Sequence, residues 1–327
     1  MPGLSVFSTH PLHPQVTAAL QEIGPWRVAS APTPAAILAE SAGAELIVVR
    51  APIPPEVLAR APGLRGLLRH GAGLDMIPLP EATAAGVLVT NVPGANALTV
   101  AEHAIWSAMA LLRRYPQVNA DLRRSGWATG RAHSDHGREL SGRSIGILGM
   151  GNIGHDVARI ARHGFGMTVA CHTRRAASVP EDVELLSFDA LLAASDVLVL
   201  CAPLTEETRG ILNVEAIGRM RPGAILVNVS RGPLVDEAAL AKALDSGHLG
   251  GAALDVFTTQ PLPADHPFMT LPNVILTPHM AGITEESMLR MGMGVVAEAR
   301  RIAVGEHPVN LCNPEALPLY RQRFPTA

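Results

Sequence analysis

Short apolar runs alternate with alanine-rich stretches along the first hundred residues. The apolar runs are residues 46–49, 64–68 and 87–90, and the stretches between them begin at prolines. Short uninterrupted apolar runs are typical of strands buried on both faces, and the intervening stretches have the length and composition of helices. The pattern predicts a small parallel sheet with crossover helices.

The same alternation is stronger in the second part of the chain. It predicts strands at residues 144–148, 168–171, 197–200, 225–229, 252–255 and 274–277. A repeated rhythm of strand and helix is typical of a doubly wound parallel sheet. The sequence therefore predicts an α/β fold with two doubly wound domains.

Two longer helical patterns accompany the change from one predicted domain to the other. Residues 98–112 and 285–304 are rich in alanine and other apolar residues, so each could carry the chain between domains. Residues 113–140 are polar and weakly patterned, which leaves open an ordered arm against a second subunit or a mobile loop. The predicted division is a first domain at residues 1–97, a second at 98–288 and a return segment at 289–327.

Composition excludes several classes of protein. A chain of 327 residues suits two domains, and a net charge of -3 with 3% aromatic residues argues against a nucleic-acid partner. Prolines interrupt the apolar runs near the N-terminus, and Arg113 and Arg114 end the longest apolar stretch, so no signal peptide or membrane association is expected. The three dispersed cysteines favour a reduced, cytoplasmic protein with cysteines in its core and no metal site.

A glycine-rich segment of the form G-x-G-x-x-G separates a predicted strand from a predicted helix. Its glycines are Gly149, Gly151 and Gly154. In such a unit the first glycine permits the turn, the second lets the backbone approach a pyrophosphate, and the third allows close packing of helix on strand. The free amides at the helix start, where Asn152 and Ile153 lie, favour an anion. The segment predicts a dinucleotide-binding site.

Polar residues follow several of the predicted strands. Thr173, Arg231, Asp255 and His279 each stand at or just beyond the carboxyl end of a strand. Open parallel sheets bind their ligands at this edge, so the four residues are candidates for a single site beside the dinucleotide.

The chain resembles the D-isomer-specific 2-hydroxyacid dehydrogenases over nearly its full length. The segments that carry the resemblance are HGAGLD (70–75), NVPGAN (91–96), VAEH (100–103), the glycine segment, APLT (202–205), NVSRG (228–232), LDVF (254–257) and TPH (277–279). The resemblance implies a Rossmann cofactor domain inserted into a flavodoxin-like substrate domain, with the active site in the cleft. It also implies a homodimer built through the cofactor domains.

The resemblance also implies roles for individual residues. Arg231 would bind the substrate carboxylate and polarise its 2-oxo group, and His279 would be the general acid, or the base in the reverse direction. The implied substrate contacts on the first domain are Arg50 at the distal end, the amides of Ala72 and Gly73, and Asn96 nearby. The remaining implied cofactor contacts are Pro203, Thr205, Asp255 and Gly282.

The chain departs from the family pattern where the adenosine ribose would bind. An acidic residue is expected about 20 residues past the glycine segment, but Thr173 is found there, followed by Arg174 and Arg175. A neutral residue does not repel a 2′-phosphate, and two guanidinium groups can bind one. This departure predicts a preference for NADP(H), with NAD(H) still possible.

A second departure concerns the partner of the histidine. The family has a glutamate before Pro261, and this chain has Gln260. A carboxylate stabilises imidazolium, whereas an amide can only orient the ring. Formate dehydrogenases resemble the chain in this glutamine, but they have a bulkier apolar residue where it has Ala72.

The sequence thus predicts an NADPH-preferring reductase of small 2-oxo acids, of glyoxylate or hydroxypyruvate type, that forms the D-hydroxy acid. A formate dehydrogenase is an alternative suggested by Gln260. A dinucleotide-sensing binding protein on the same fold, with negligible turnover, is an alternative from another class.

Overall fold

A computed structural model describes residues 3–325 of the chain. Within them the chain forms two compact units, one made of residues 3–96 and 283–325 and the other of residues 97–282. The sequence placed the changes of domain after residues 97 and 288. The second change falls earlier in the structure, because the long helix that begins at Glu285 belongs as a whole to the first unit.

The first unit is a five-stranded parallel sheet with helices on both faces. Its strands are β1 (Val6–Ser8), β2 (Trp26–Val28), β3 (Leu46–Val49), β4 (Gly66–Arg69) and β5 (Leu88–Thr90). The helices before residue 97 are α1 (Pro14–Gln21), α2 (Pro34–Glu40), α3 (Glu56–Arg60) and α4 (Leu79–Ala84). The order β2-β1-β3-β4-β5 is the flavodoxin-like order, which reverses between β1 and β3.

Alternate residues of these strands pack into two separate cores. Ile47 and Val49 face one core with α2, α3 and α4, whereas Leu46 and Val48 face the other with α1. This alternation is the two-residue period of a strand, and the continuous apolar run reflects burial on both faces.

The second unit begins with helices and continues as a seven-stranded parallel sheet. Its strands are β6 (Ser144–Leu148), β7 (Thr168–His172), β8 (Glu184–Leu185), β9 (Val197–Leu200), β10 (Ile225–Asn228), β11 (Gly251–Leu254) and β12 (Val274–Leu276). Its helices are α5 (Ala97–Leu112), α6 (Tyr115–Ser125), α7 (Trp127–Ala132), α8 (Asn152–Phe165), α9 (Phe188–Ala194), α10 (Val214–Arg219) and α11 (Glu237–Asp245). The chain then completes the first unit with α12 (Glu285–Ala303) and α13 (Leu317–Arg323).

The strand order of the second sheet is β12-β11-β10-β9-β6-β7-β8. It extends the Rossmann order by one strand and reverses between β6 and β9. Apolar side chains of α5 and α8 cover one face, and those of α9, α10 and α11 cover the other. The predicted fold class of two doubly wound parallel-sheet domains is confirmed.

The polar segment at 113–140 is largely helical, as α6 and α7. No side chain of α6 is buried, which explains why this segment shows no apolar pattern. Of the predicted core cysteines, Cys171 is buried, whereas Cys201 and Cys312 are partly buried. No helix in residues 3–325 is both long and apolar enough to span a membrane.

Candidate active site

The glycine segment lies at the reversal of strand order, between the end of β6 and the start of α8. Gly149 has φ 98°, a left-handed conformation that favours glycine, and a Cβ there would come within 2.6 Å of the Ala202 backbone. A Cβ on Gly154 would lie 2.3 Å from the Gly149 carbonyl oxygen. These two glycines are therefore required by the fold itself.

Gly151 differs, since a Cβ there would have no protein atom within 4 Å. The N-terminus of α8 also has no side-chain cap among the described residues, so its first amides are available to an acceptor outside the chain. Open space beside Gly151 and an uncapped N-terminus of a fourteen-residue helix fit the pyrophosphate of a dinucleotide. Asn152 and Ile153 form the first turn of this helix.

Thr173, Arg174 and Arg175 directly follow β7, beside the glycine segment. The Thr173 hydroxyl accepts a hydrogen bond from the Arg175 amide at 3.3 Å. Arg174 forms an ion pair with Glu207, and both side chains are 68% exposed. No ion pair found in residues 3–325 includes the Arg175 guanidinium. The position at which an acidic residue was expected is therefore occupied by polar and basic residues, and Glu207 neutralises part of their positive charge.

Pro203 and Thr205 belong to a compact turn that follows β9. The Thr205 amide donates to the Thr208 hydroxyl at 2.8 Å, and that hydroxyl donates to the Pro203 carbonyl, also at 2.8 Å. The turn is thus ordered by its own threonines. It lies next in sequence to Ala202, which packs against the glycine segment.

Arg231 follows β10 in a tightly packed turn. The Ser230 hydroxyl bonds to the Ala202 carbonyl, and the buried Asn228 amide donates to the Arg231 carbonyl at 3.0 Å. Gly232 is required because a Cβ there would lie 2.0 Å from the Phe257 backbone. These contacts fix the backbone of Arg231, whose side chain stays half-buried.

Asp255 organises the turn that carries His279. The residue is only 3% exposed. One carboxylate oxygen accepts from the Thr277 hydroxyl at 2.6 Å and the Met280 amide at 2.8 Å, and the other accepts from the Ala281 amide at 2.9 Å. The sequence suggested a cofactor contact for Asp255. That contact stays a prediction, and within the turn the carboxylate orders the backbone that carries His279.

His279 is held by Gln260. Its Nδ1 lies 3.1 Å from the Gln260 Oε1, while the Gln260 Nε2 donates to the Phe257 carbonyl at 3.3 Å. Because a carbonyl can only accept, the Phe257 contact fixes the amide orientation and requires the His279 Nδ1 to be the donor. His279 has φ 54°, which is uncommon for a residue other than glycine.

His103 is a neighbour that the sequence did not single out. This residue of α5 has its Nε2 3.4 Å from the Thr277 hydroxyl, and its ring tilts against Trp106. Burial lowers the pKa of His103, and the Asp255 carboxylate opposes that shift. His103 lies in the VAEH segment, but its contact with Thr277 could not be predicted locally, because 174 residues separate the two.

The remaining predicted residues lie on the first unit. Ala72 and Gly73 belong to a loop after β4 in which Arg69 donates to the carbonyls of Val49, His70 and Gly73 at 2.8–3.0 Å. The Asn91 amide donates to the Ala72 carbonyl at 2.8 Å. Arg69 and Asn91 therefore order the loop, and neither was among the site residues predicted from the sequence.

Arg50 and Asn96 complete the predicted set. The Arg50 guanidinium donates to the Pro11 carbonyl at 2.9 Å, and Asn96 is half-buried at the end of the first unit. The structure groups Arg231, Asp255, Gln260, His279 and Gly282 with the glycine segment on the second unit.

The second sheet, with its glycine segment at the reversal of strand order, defines a dinucleotide-binding protein of the Rossmann type. More closely, this chain belongs to the D-isomer-specific 2-hydroxyacid dehydrogenase family. Residues 105–281, over half of the chain, match the family's NAD-binding domain, which confirms the resemblance found in the sequence.

Individual relatives carry several enzyme names. D-3-phosphoglycerate dehydrogenase of Mycobacterium tuberculosis is 39% identical over 299 residues, which cover 90% of this chain but only 56% of that protein. Glyoxylate reductase of Korarchaeum cryptofilum is 41% identical over 270 residues, 81% of each chain. The structure of an NADPH-dependent glyoxylate/hydroxypyruvate reductase from Sinorhizobium meliloti has a TM-score of 0.83 at 28% identity, over 97% of this chain and 99% of that one.

Proposed function

We propose that the chain is an NADPH-preferring reductase of small 2-oxo acids, of glyoxylate or hydroxypyruvate type, that forms D-2-hydroxy acids. The observation that carries the proposal is the His279 ring, held at Nδ1 by Gln260 on the same unit as the glycine segment and Arg231. With Nδ1 committed as a donor, Nε2 is the ring nitrogen left to transfer a proton.

The chain's own residues supply binding and proton transfer. Arg231 binds the substrate carboxylate through its planar fork of donors and polarises the 2-oxo group. His279 donates a proton from Nε2 to the 2-oxo oxygen and accepts it in the reverse direction. The bound nicotinamide cofactor supplies the hydride. On the first unit, the proposed substrate-binding residues are Arg50, Ala72, Gly73 and Asn96.

The cofactor preference rests on the residues after β7. Thr173 is neutral, and two guanidinium groups follow it, of which only Arg174 has an acidic partner among the residues that the structure describes. An exposed ion pair such as Arg174 with Glu207 contributes little to stability, so a 2′-phosphate can compete with Glu207 for Arg174. The relative from Sinorhizobium meliloti is named as NADPH-dependent, which supports the same preference.

The test is a screen of 2-oxo acids with each cofactor, following cofactor absorbance. Glyoxylate, hydroxypyruvate, pyruvate and phenylpyruvate should be reduced better with NADPH, by roughly ten- to a hundredfold in kcat/KM, because each charged contact contributes about 1.5–3 kcal/mol. Arg174→Ala and Arg175→Ala should weaken NADPH use without harming NADH use. Arg219→Ala, which removes another exposed arginine paired with an acid, is the control. Equal or better use of NADH by the unaltered protein would contradict the preference.

A formate dehydrogenase is the second candidate. Formate dehydrogenases have a glutamine at this position, and in this chain Gln260 is hydrogen-bonded to His279. Formate oxidation requires no protonation of a substrate oxygen, so a neutral partner suits it. The same assay run with formate and NAD separates the two proposals. Turnover of formate without reduction of any 2-oxo acid would favour the second candidate.

The proposal includes a cytoplasmic homodimer. The helices α5, α6 and α7 expose large apolar side chains that a second copy could cover: Trp106, Met109, Tyr115, Leu122 and Trp127. Light scattering should give twice the 34.4 kDa mass of the chain, and Trp127→Asp should lower it. A monomeric unaltered protein would contradict the dimer.

A further inference from the structure

A cavity of about 500 Å³ opens at the amino edge of the seven-stranded sheet. The last residues of α5 and α11 line it, together with Gly223 and Asn273, which precede β10 and β12. The glycine segment and Arg231 instead follow the carboxyl ends of strands in the same sheet. The cavity is therefore separate from the candidate active site, and its size suits a small molecule.

Two arginines border this cavity because the segment of α6 and α7 leaves the sheet domain and rejoins it at one point. Arg114 ends the turn after α5, and its amide donates to the Leu111 carbonyl at 2.9 Å. The chain returns at Arg138, whose amide donates to the Leu112 carbonyl, also at 2.9 Å. The neighbouring carbonyls of α5 thus bring Arg114 and Arg138 together on the cavity wall.

Neither Arg114 nor Arg138 has an acidic partner for its guanidinium within residues 3–325. In the same segment, by contrast, Arg124 and Arg131 each pair with an aspartate. Asp245 also lines the cavity, but one carboxylate cannot balance two guanidinium groups. Guanidinium groups that lie together without an equal opposite charge favour an anion, and their forked donors suit a carboxylate or a phosphate.

The Gln117 side chain gives the cavity a hydrogen-bond acceptor. This residue lies in the first turn of α6, and its Oε1 is buried without a donor among the described residues. Buried carbonyl oxygens are normally paired, so the unpaired oxygen points to a donor from outside the chain. A hydroxyl group is such a donor. An acid that also carries a hydroxyl group therefore matches both the arginines and Gln117.

We propose that this cavity is a second ligand site, for a small hydroxylated acid such as a phosphate ester or a carboxylate. Its anionic group contacts Arg114 and Arg138, and its hydroxyl group donates to the Gln117 Oε1. Because the bound molecule contacts both ends of the segment that holds α6 and α7, it stabilises residues 113–138 and is not a substrate. Binding there is independent of the reaction at the carboxyl edge.

Titration calorimetry measures this binding in protein with NADP⁺ or NAD⁺ present to fill the cofactor site. The probes are glycerol 3-phosphate against inorganic phosphate, and 3-hydroxybutyrate against butyrate, which separate the two acids and the hydroxyl contact. At least one hydroxylated probe should bind about fivefold tighter than its partner, because it pairs a buried oxygen. Gln117→Leu should remove that difference.

Substitution of the arginines tests the anion contact. Arg114→Gln and Arg138→Gln should each weaken binding of the tighter probe about tenfold or more, as expected for a charged hydrogen bond. Arg113→Gln is the matched control, because Arg113 is also exposed and has no ion pair within the described residues, but does not line the cavity. Affinity unchanged by Arg114→Gln and Arg138→Gln, or no saturable binding of any probe, would overturn the proposal.

Hydrogen exchange locates the bound probe, and light scattering tests a second copy of the chain as the occupant. The tighter probe should slow amide exchange at residues 113–138 and 244–250. Protection confined to the carboxyl edge of the sheet would overturn the proposal. Loss of dimer mass in Arg114→Gln or Arg138→Gln, but not in Arg113→Gln, without binding of any probe would assign the arginines to a contact between copies and would also overturn it.

Discussion

A single amide group determines which nitrogen of His279 can exchange a proton. The Gln260 side chain bridges His279 Nδ1 and the Phe257 carbonyl, with its nitrogen toward the carbonyl and its oxygen toward the ring. A glutamate would accept from Nδ1 equally well, but its second oxygen would face the Phe257 carbonyl oxygen. The glutamine amide therefore forms a hydrogen bond with both His279 and Phe257, but it lacks the negative charge that would stabilise imidazolium.

We expect Gln260→Glu to extend 2-oxo acid reduction to higher pH. In the proposed mechanism reduction requires protonated His279, and an ionised carboxylate within hydrogen-bond distance raises the pKa of a histidine by about one unit or more. The high-pH limb of kcat should therefore move upward in the variant. The measurement is kcat against pH, with a deuterated cofactor used to show that chemistry limits the rate.

Gln322→Glu is the matched control, because it adds the same charge on exposed α13 of the first unit. Superimposable profiles for the unaltered protein and Gln260→Glu would show that the residue at position 260 does not tune the acid.

Sequence patterns identified the elements that are long and buried on both faces. The predicted strands at 46–49, 144–148 and 197–200 coincide with β3, β6 and β9, whose residues are almost all buried. The strands β1, β2 and β8 have only two or three residues and were not predicted, whereas β5 and β12, also of three residues, were predicted within longer apolar runs.

In the candidate site, features set by the local sequence could be predicted, whereas contacts between elements far apart in sequence could not. The placement of Arg231 and His279 just beyond strand ends could be predicted, because apolar runs mark the strands and parallel strands bring their carboxyl ends to one edge. The contacts of His103 with Thr277 and of Glu207 with Arg174 could not be predicted, because they join elements far apart in sequence. Such contacts depend on how the elements pack, which a local pattern does not encode.

For the first unit as a whole, buried His70 couples folding to pH. Its pKa is about 4 in the folded chain, below the reference value of 6.5, so the unfolded chain binds the proton more tightly. The neutral ring stabilises the fold fully above pH 6.5, and that contribution is lost as the pH falls from 6.5 toward 4. Between pH 7 and pH 5 the loss is about 2 kcal/mol in the free energy of unfolding.

Trp26 can report this loss, because it is the tryptophan of the first unit and Trp106 and Trp127 belong to the second. In a background with Trp106→Phe and Trp127→Phe, urea unfolding followed by Trp26 fluorescence should show the decrease at pH 5. His70→Leu in that background should reduce the pH dependence by about 2 kcal/mol. Identical pH dependence with and without His70 would show that the ring is not held neutral.

The first unit is discontinuous in sequence, which affects how the chain can fold on the ribosome. Its strands β1 to β5 emerge first, but Val295, Ala299 and Ile302 of α12, which cover one face of that sheet, emerge only after residues 97–282. At synthesis rates of about 5–20 residues per second, the delay is on the order of 10–40 s. During that time the nascent chain exposes an apolar sheet face on which chaperones can act. The continuous second unit can finish folding first, so the order of completion reverses the order of synthesis.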